Sequence, residues 1–528
     1  MEKYRPLARL LGFVVVSCFG VIDHPIGAHG QTAEQRNQLG KRLRRFEESW
    51  QFASPEVRAL STPSMEKAVA CFFSLQIPQA ARYLDEAWMI VAGIGDEERR
   101  QRQEWNAHFI DVERVWLDST ESALRLRILP MDGQTVIASD PTQTENQAED
   151  KPGPELAKSK PLDGNLTLEW ISEKRREGTS ENEPRRRHTW SNPTVGEWLE
   201  LPLLDTHEGA VTLDCFFERP DGLRIPWLAE SIVIVDPLGA LETRISDWLD
   251  QNRRNKPDTR FMSTKFYAKE IAQALKGKEN EIDPPWHSWK EHLLQLMNPD
   301  ISLPSLIENS TSRQFWFHLA NDEGNQVVRM FIPTRTDGDG GNGTETFPVV
   351  FALHGAGGSE NMFFETYGAG RLIELADEKH WIVVAPRQNI LAGKLGLNVT
   401  QILDELSNFV PVDRNQVAIL GHSMGAAQTI AQTCSHPDAI QAVVAMGGGG
   451  RVARSEALTK VPFFVAAGTR DFGRPGAMAL TEQLRQAKCE VVYRDYENVE
   501  HMVIVQAALD DATDFIEKAF ASRGLRSR

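Results

Sequence analysis

From about residue 312 to the end, the chain alternates between short apolar runs and amphipathic stretches. Val349–Leu353, Trp381–Ala385, Val417–Leu420, Val443–Met446, Phe463–Ala467 and Glu490–Tyr493 have the length and composition of strands. Gly370–Lys379, Val399–Phe409, Ala426–Cys434, Gly476–Ala487 and Val503–Phe520 lie between or after them and repeat apolar residues at helical spacing. A hairpin, Arg313–Leu319 with Gln326–Ile332 across Asn321-Asp322-Glu323-Gly324, comes first. Strands apolar on both faces, separated by helices, predict a doubly wound, mostly parallel α/β sheet covered on both sides.

Upstream the period differs. Residues 31–110 read as helical: Ser64–Leu75 and Ile77–Val91 have apolar positions three and four apart, and Ala80–Trp88 resembles half a tetratricopeptide unit with no second copy. Over 111–238 the period falls to two, at Ala123–Leu129, Leu166–Ile171 and Val211–Phe217, with Ser231–Val235 as an apolar run. Asp132-Gly133 and Pro220-Asp221-Gly222 mark turns. A small β-sandwich-like domain is predicted there, interrupted by a polar, proline-rich stretch, Pro141–Gly164. Residues 239–311 read as a helical connector broken at Asp283-Pro284-Pro285. The expected division is therefore 1–30, 31–110, 111–238, 239–311 and 312–528.

The first 30 residues read as an address. Lys3, Arg5 and Arg9 precede the apolar Leu10–Val16, and Ala28-His29-Gly30 supplies small residues at a cleavable spacing before Gln31. This predicts a signal peptide and export, periplasmic or extracellular. Val15-Val16-Ser17-Cys18 also reads as a bacterial lipobox, which would leave a lipid anchor on Cys18. A net charge of −16 over 528 residues argues against a nucleic-acid partner. Arg175-Arg176 and Arg185-Arg186-Arg187 read as a solvated hairpin tip. The carboxylates of Asp337–Glu345 match no known calcium-loop spacing. Cys71, Cys215, Cys434 and Cys489 show neither a CxxC nor a metal pattern and are expected to be buried free thiols. All but two of the 13 tryptophans precede residue 305, which suits core packing or, if exposed, stacking on sugars.

The chemistry centres on Gly421-His422-Ser423-Met424-Gly425, between the apolar run Val417–Leu420 and the small-residue helix. Strand, tight turn and helix with Ser at the apex form a nucleophile elbow. A serine hydroxyl needs a base, and the base needs an acid to orient it. Asp471 follows the strand Phe463–Ala467 in the loop Gly468-Thr469-Arg470-Asp471, and is the expected acid ahead of Asp495 and Glu497. His501 follows the last strand and is the expected base ahead of His436 and His380, although Glu500 beside it would also suit a surface histidine. Met424 N–H and an N–H of His354-Gly355-Ala356-Gly357-Gly358, from Ala356 first and Gly357 second, are the expected oxyanion donors. This glycine loop lacks the Lys and Ser/Thr of a phosphate-binding P-loop. No metal or organic cofactor is required by such chemistry.

Together these residues resemble the α/β-hydrolase superfamily. Leu353–Gly358 and Val412-Asp413-Arg414-Asn415-Gln416-Val417 are similar to secreted esterases of the polyhydroxybutyrate depolymerase, feruloyl esterase and phospholipase/carboxylesterase branch. Ala426 stands where many relatives have a second glycine. The resemblance covers about 312–520 and implies a serine hydrolase acting on carboxylic esters, including polymer-linked ones. A serine peptidase, or a carbohydrate-binding or scaffold protein with a spent hydrolase domain, are the alternatives. Only Gly447–Lys460 separates the strand after the elbow strand from the next, too little for a helical lid. An open cleft preferring short acyl groups is expected, unless residues 31–311 fold across its mouth.

Overall fold

The computed structural model describes residues 32–524 apart from 104–105, 132–160, 173–185, 204–207, 236, 253–257, 277–280, 284, 320–325, 335–345, 388–397 and 454–455. The leader with Cys18, most of the stretch 141–164, the arginines at 175, 176 and 185, the hairpin turn at 321–324 and the acidic loop at 337–345 lie outside the described residues.

The C-terminal half is an eight-stranded sheet. Its strands are numbered here β1 (Gln314–Leu319), β2 (Gln326–Phe331), β3 (Phe347–Leu353), β4 (Ile382–Pro386), β5 (Val412–His422), β6 (Ala442–Met446), β7 (Phe463–Gly468) and β8 (Val491–Tyr496). They lie in the order β1-β2-β4-β3-β5-β6-β7-β8. β2 is antiparallel to both neighbours, and every pairing from β4 to β8 is parallel. That is the α/β-hydrolase architecture. β4, β6 and β7 are buried along their whole length because helices cover both faces. β8 is the edge strand, and its burial alternates residue by residue over most of its length.

Three helices open the described chain: α1 (Ala33–Trp50), α2 (Pro55–Phe73) and α3 (Ile77–Val91). Thr32 and Gln35 form a capping box that starts α1, while Ser54 caps α2 with Pro55 in its first turn. The apolar faces of α1–α3 do not form an isolated bundle. Leu39, Leu43, Phe46, Ala80 and Leu84 share one core with Val350, Leu420, Val444 and Ile504 on one side of the large sheet. Polar contacts fix the docking. Glu47 of α1 accepts the N–H of Ala369 at 2.9 Å, and Arg44 pairs with Glu365 at 3.0 Å. On α2, Thr62 Oγ1 donates to the Asn498 carbonyl at 2.7 Å and Glu66 pairs with Arg470 at 2.8 Å. Arg42 and Arg45 meet Asp85 of α3 at 3.2 and 2.6 Å.

A three-stranded sheet (His108–Val112, Ala123–Pro130, Leu199–Pro202) and a larger one (Trp116–Asp118, Asn165–Ser172, Arg186–Ser191, Gly209–Glu218, Arg224–Pro226, Glu230–Val235) enclose a separate core that includes Leu126, Leu168, Leu213 and Phe217. The connector helices, from Leu238–Gln251 to Leu303–Asn309, pack with β1 and the opposite face of the large sheet. No described tryptophan is exposed, so sugar stacking finds no platform among the described residues. The four cysteines among the described residues form no disulfide; Cys215 and Cys489 are buried, Cys71 and Cys434 only partly so.

Candidate active site

The elbow follows from the register of three parallel strands. β5 runs between β3 and β6, with Gly421 beside Leu353 and His422 beside Met446. The chain then reverses into the helix Met424–Ser435, and Ser423 at the apex has φ 57° and ψ −114°. An L-residue avoids this region, so the conformation is strained. The flanking glycines are required sterically. A Cβ on Gly421 would lie 2.4 Å from the Gly425 carbonyl, and one on Gly425 would lie 2.0 Å from the Leu353 carbonyl oxygen.

β7 ends in the loop that carries Asp471, and β8 is followed by the turn that carries His501. Both loops sit at the same sheet edge as the elbow because the strands are parallel. Ser423 Oγ lies 2.9 Å from His501 Nε2, and His501 Nδ1 lies 2.7 Å from Asp471 Oδ1. Gly473 N–H donates to the same carboxylate at 2.6 Å. Burial alone would raise the Asp471 carboxyl, but His501, the Gly473 N–H and His422 outweigh it and hold it below its usual value. The Phe472 ring lies 3.9 Å from the His501 imidazole, tilted by 32°, and Phe73 of α2 stands edge-on to Phe472 at 5.7 Å. The ring pair limits how far the imidazole can swing.

The structure thus brings the three sequence-predicted residues into one hydrogen-bonded chain. Asp495 is elsewhere, paired with Arg474 at 2.8 Å. His501 and Glu500 are both 2% exposed, so neither is the surface group that their adjacency suggested.

Met424 is the first residue of its helix, and its N–H has no acceptor within that helix. The loop after β3 lies against the nucleophile: a Cβ on Gly355 would meet Ser423 Cβ at 3.3 Å. His354 Nδ1–H bonds the Gly355 carbonyl at 2.8 Å and pins the loop, while Ala356 and Gly357 line the cavity in front of Ser423.

Sequence reasoning passed over His422. It is buried, and its Nε2–H donates to the His501 carbonyl at 2.8 Å. Burial, reinforced by His501, lowers it to about 3, so it stays neutral and holds the backbone of His501 in place. Its position inside the elbow was the available signal.

The expected open cleft is not found. A cavity open to solvent on one side stands before Ser423, and α1, α2 and α3 form its far wall. The sequence reservation applies: the helical segment folds across the mouth. Among the described residues, only the short helical turn Ala457–Lys460 lies between β6 and β7.

No family model matches the sequence, and no curated protein matches it. Solved structures do. A ferulic acid esterase aligns at 19% identity over 37% of this chain and 93% of its own, with a TM-score of 0.31. An S-formylglutathione hydrolase from Staphylococcus aureus aligns at 14% identity over 39% and 98%, with a TM-score of 0.32. A thermostable esterase aligns at 14% identity over 67% and 89%, with a TM-score of 0.35. At these values the fold assignment rests on the strand order itself.

Proposed function

We propose that the protein is an exported serine hydrolase that cleaves carboxylic esters. One observation carries the reading: a strained Ser423 joined to His501 and Asp471 at 2.9 and 2.7 Å, at the C-terminal edge of an α/β-hydrolase sheet. Ser423 Oγ attacks the acyl carbonyl as His501 Nε2 takes its proton. Asp471 stabilises the imidazolium and fixes Nδ1 as the protonated nitrogen. The N–H groups of Met424 and of Ala356 or Gly357 receive the oxyanion. His501 returns the proton to the leaving alcohol, and the acyl-enzyme is hydrolysed by a water that the same imidazole activates.

The test is kinetic and chemical. Ser423→Ala, His501→Ala and Asp471→Asn should each lower kcat by roughly 10⁴-fold on an ester panel without unfolding the protein. A fluorophosphonate should label Ser423. Unchanged turnover in Ser423→Ala, or amide substrates cleaved faster than every ester, would overturn the reading.

A further inference from the structure

We infer that the N-terminal three-helix unit is the acyl-binding half of the site, and that the acyl group it takes is an unbranched hydrocarbon chain of medium length. This rests on the proposed hydrolase chemistry and adds the substrate class.

The cavity in front of Ser423 continues between α1 and α2 as far as α3. Its wall there is Leu39 and Leu43 from α1, Met65, Ala68 and Phe72 from α2, and Leu84 from α3. None of these carries a polar side-chain group. Arg36 and Glu281, also on the lining, are partly exposed and pair at 3.9 Å. Ser359, Asn361, Thr366 and Tyr367 add polar groups from the hydrolase side of the cavity, so the apolar wall is the face made by α1–α3. Polar atoms of a hydroxylated or charged acyl group laid against that face would have no partner on it. A hydrocarbon chain needs none.

The wall is a fixed part of the protein rather than a flap. α2 is tied to the loops that bear the triad by Thr62 to Asn498 and Glu66 to Arg470. Its last turn also reaches the oxyanion loop: the Phe72 ring would touch a Cβ on Gly357 at 3.1 Å. A chain running from Ser423 past α2 to Leu84 crosses one layer of packed helices, about 8–10 Å, which an acyl group of about eight carbons spans.

The test uses the full-length protein and p-nitrophenyl esters from acetate to palmitate. kcat/KM should rise by up to about fourfold per methylene, the equivalent of 0.8 kcal/mol, peak near octanoate, and show no jump at a lipid–water interface. Ala68→Leu should lower the octanoate-to-acetate ratio at least tenfold, and Leu84→Ala should move the optimum to longer chains. Either change could disturb helix packing, so calorimetry of octanoate and acetate on Ser423→Ala supplies a readout independent of turnover. Octanoate should bind about 100-fold more tightly or better. Ester turnover with a flat or acetate-peaked profile, or equal binding of the two acids, overturns the acyl pocket and leaves the hydrolase standing. No turnover of any ester and no labelling of Ser423 overturns the hydrolase, and the binding measurement still decides the pocket.

Discussion

Two inactive variants should differ in stability, with Ser423→Gly more stable than Ser423→Ala. Both remove the hydroxyl and its 2.9 Å contact with His501, so that loss cancels between them. What remains is the backbone. At φ 57° and ψ −114° an alanine keeps the conformational strain of the serine, of order 1–3 kcal/mol, whereas glycine enters that region freely. Glycine also gains freedom in the unfolded chain, at a cost of about 0.5–1 kcal/mol. The difference should favour glycine by about 0–2.5 kcal/mol, centred a little above about 1 kcal/mol. In urea, with a slope of about 3 kcal/mol/M, the glycine midpoint should lie about 0.4 M higher, and at most about 0.8 M. A higher midpoint for alanine would show that the elbow stores less strain at Ser423 than the freedom glycine adds to the unfolded chain.

Glu500 offers a test by pH. Its carboxyl is pushed up from 4.5 to about 7 by burial, which the N–H groups of Met502 and Val503 only partly offset. A raised value means that its favourable contribution is complete below about pH 4.5 and is lost as pH rises to about 7. Glu500→Gln should therefore gain on the native protein across that window, by about 1–3 kcal/mol, and level off above it; denaturation at pH 5 and pH 8 giving the same difference would refute this. Export predicts a mature N-terminus at Gln31, or a lipid on Cys18, by mass spectrometry of protein from the native host, and intact Met1–Gly30 on cytoplasmic protein would refute it.

The parts of the site visible in the sequence are those dictated locally. Gly421 and Gly425 are needed wherever a strand turns this sharply into a helix, and a parallel sheet brings the ends of β5, β7 and β8 to one edge. Asp471 and His501 could therefore be named from position alone. The cavity wall could not. An amphipathic helix such as α1 shows the same periodicity whether it buries its apolar face in a bundle or against a distant sheet. Nothing near Leu39 or Leu84 marks Ser423 as their neighbour. Glu500 left a surface His501 open as the alternative, because nothing in the sequence shows that its carboxylate receives the N–H groups of Met502 and Val503 at 2.9–3.0 Å. On the edge strand β8, alternating burial gives a weaker apolar run, and the observed strand starts one residue later than the pattern indicates and ends three residues later.

The docking of α1 also bears on the protein's synthesis. Glu47 and its partner Ala369 are 322 residues apart in sequence. At about 5–20 residues per second, the ribosome needs roughly 15–65 s to deliver the second after the first. Through that interval Leu39, Leu43 and Phe46 have left the ribosome while the sheet that buries them is still being made. The nascent chain thus carries an uncovered apolar helix face for most of its synthesis, which makes it a natural client for a holding chaperone.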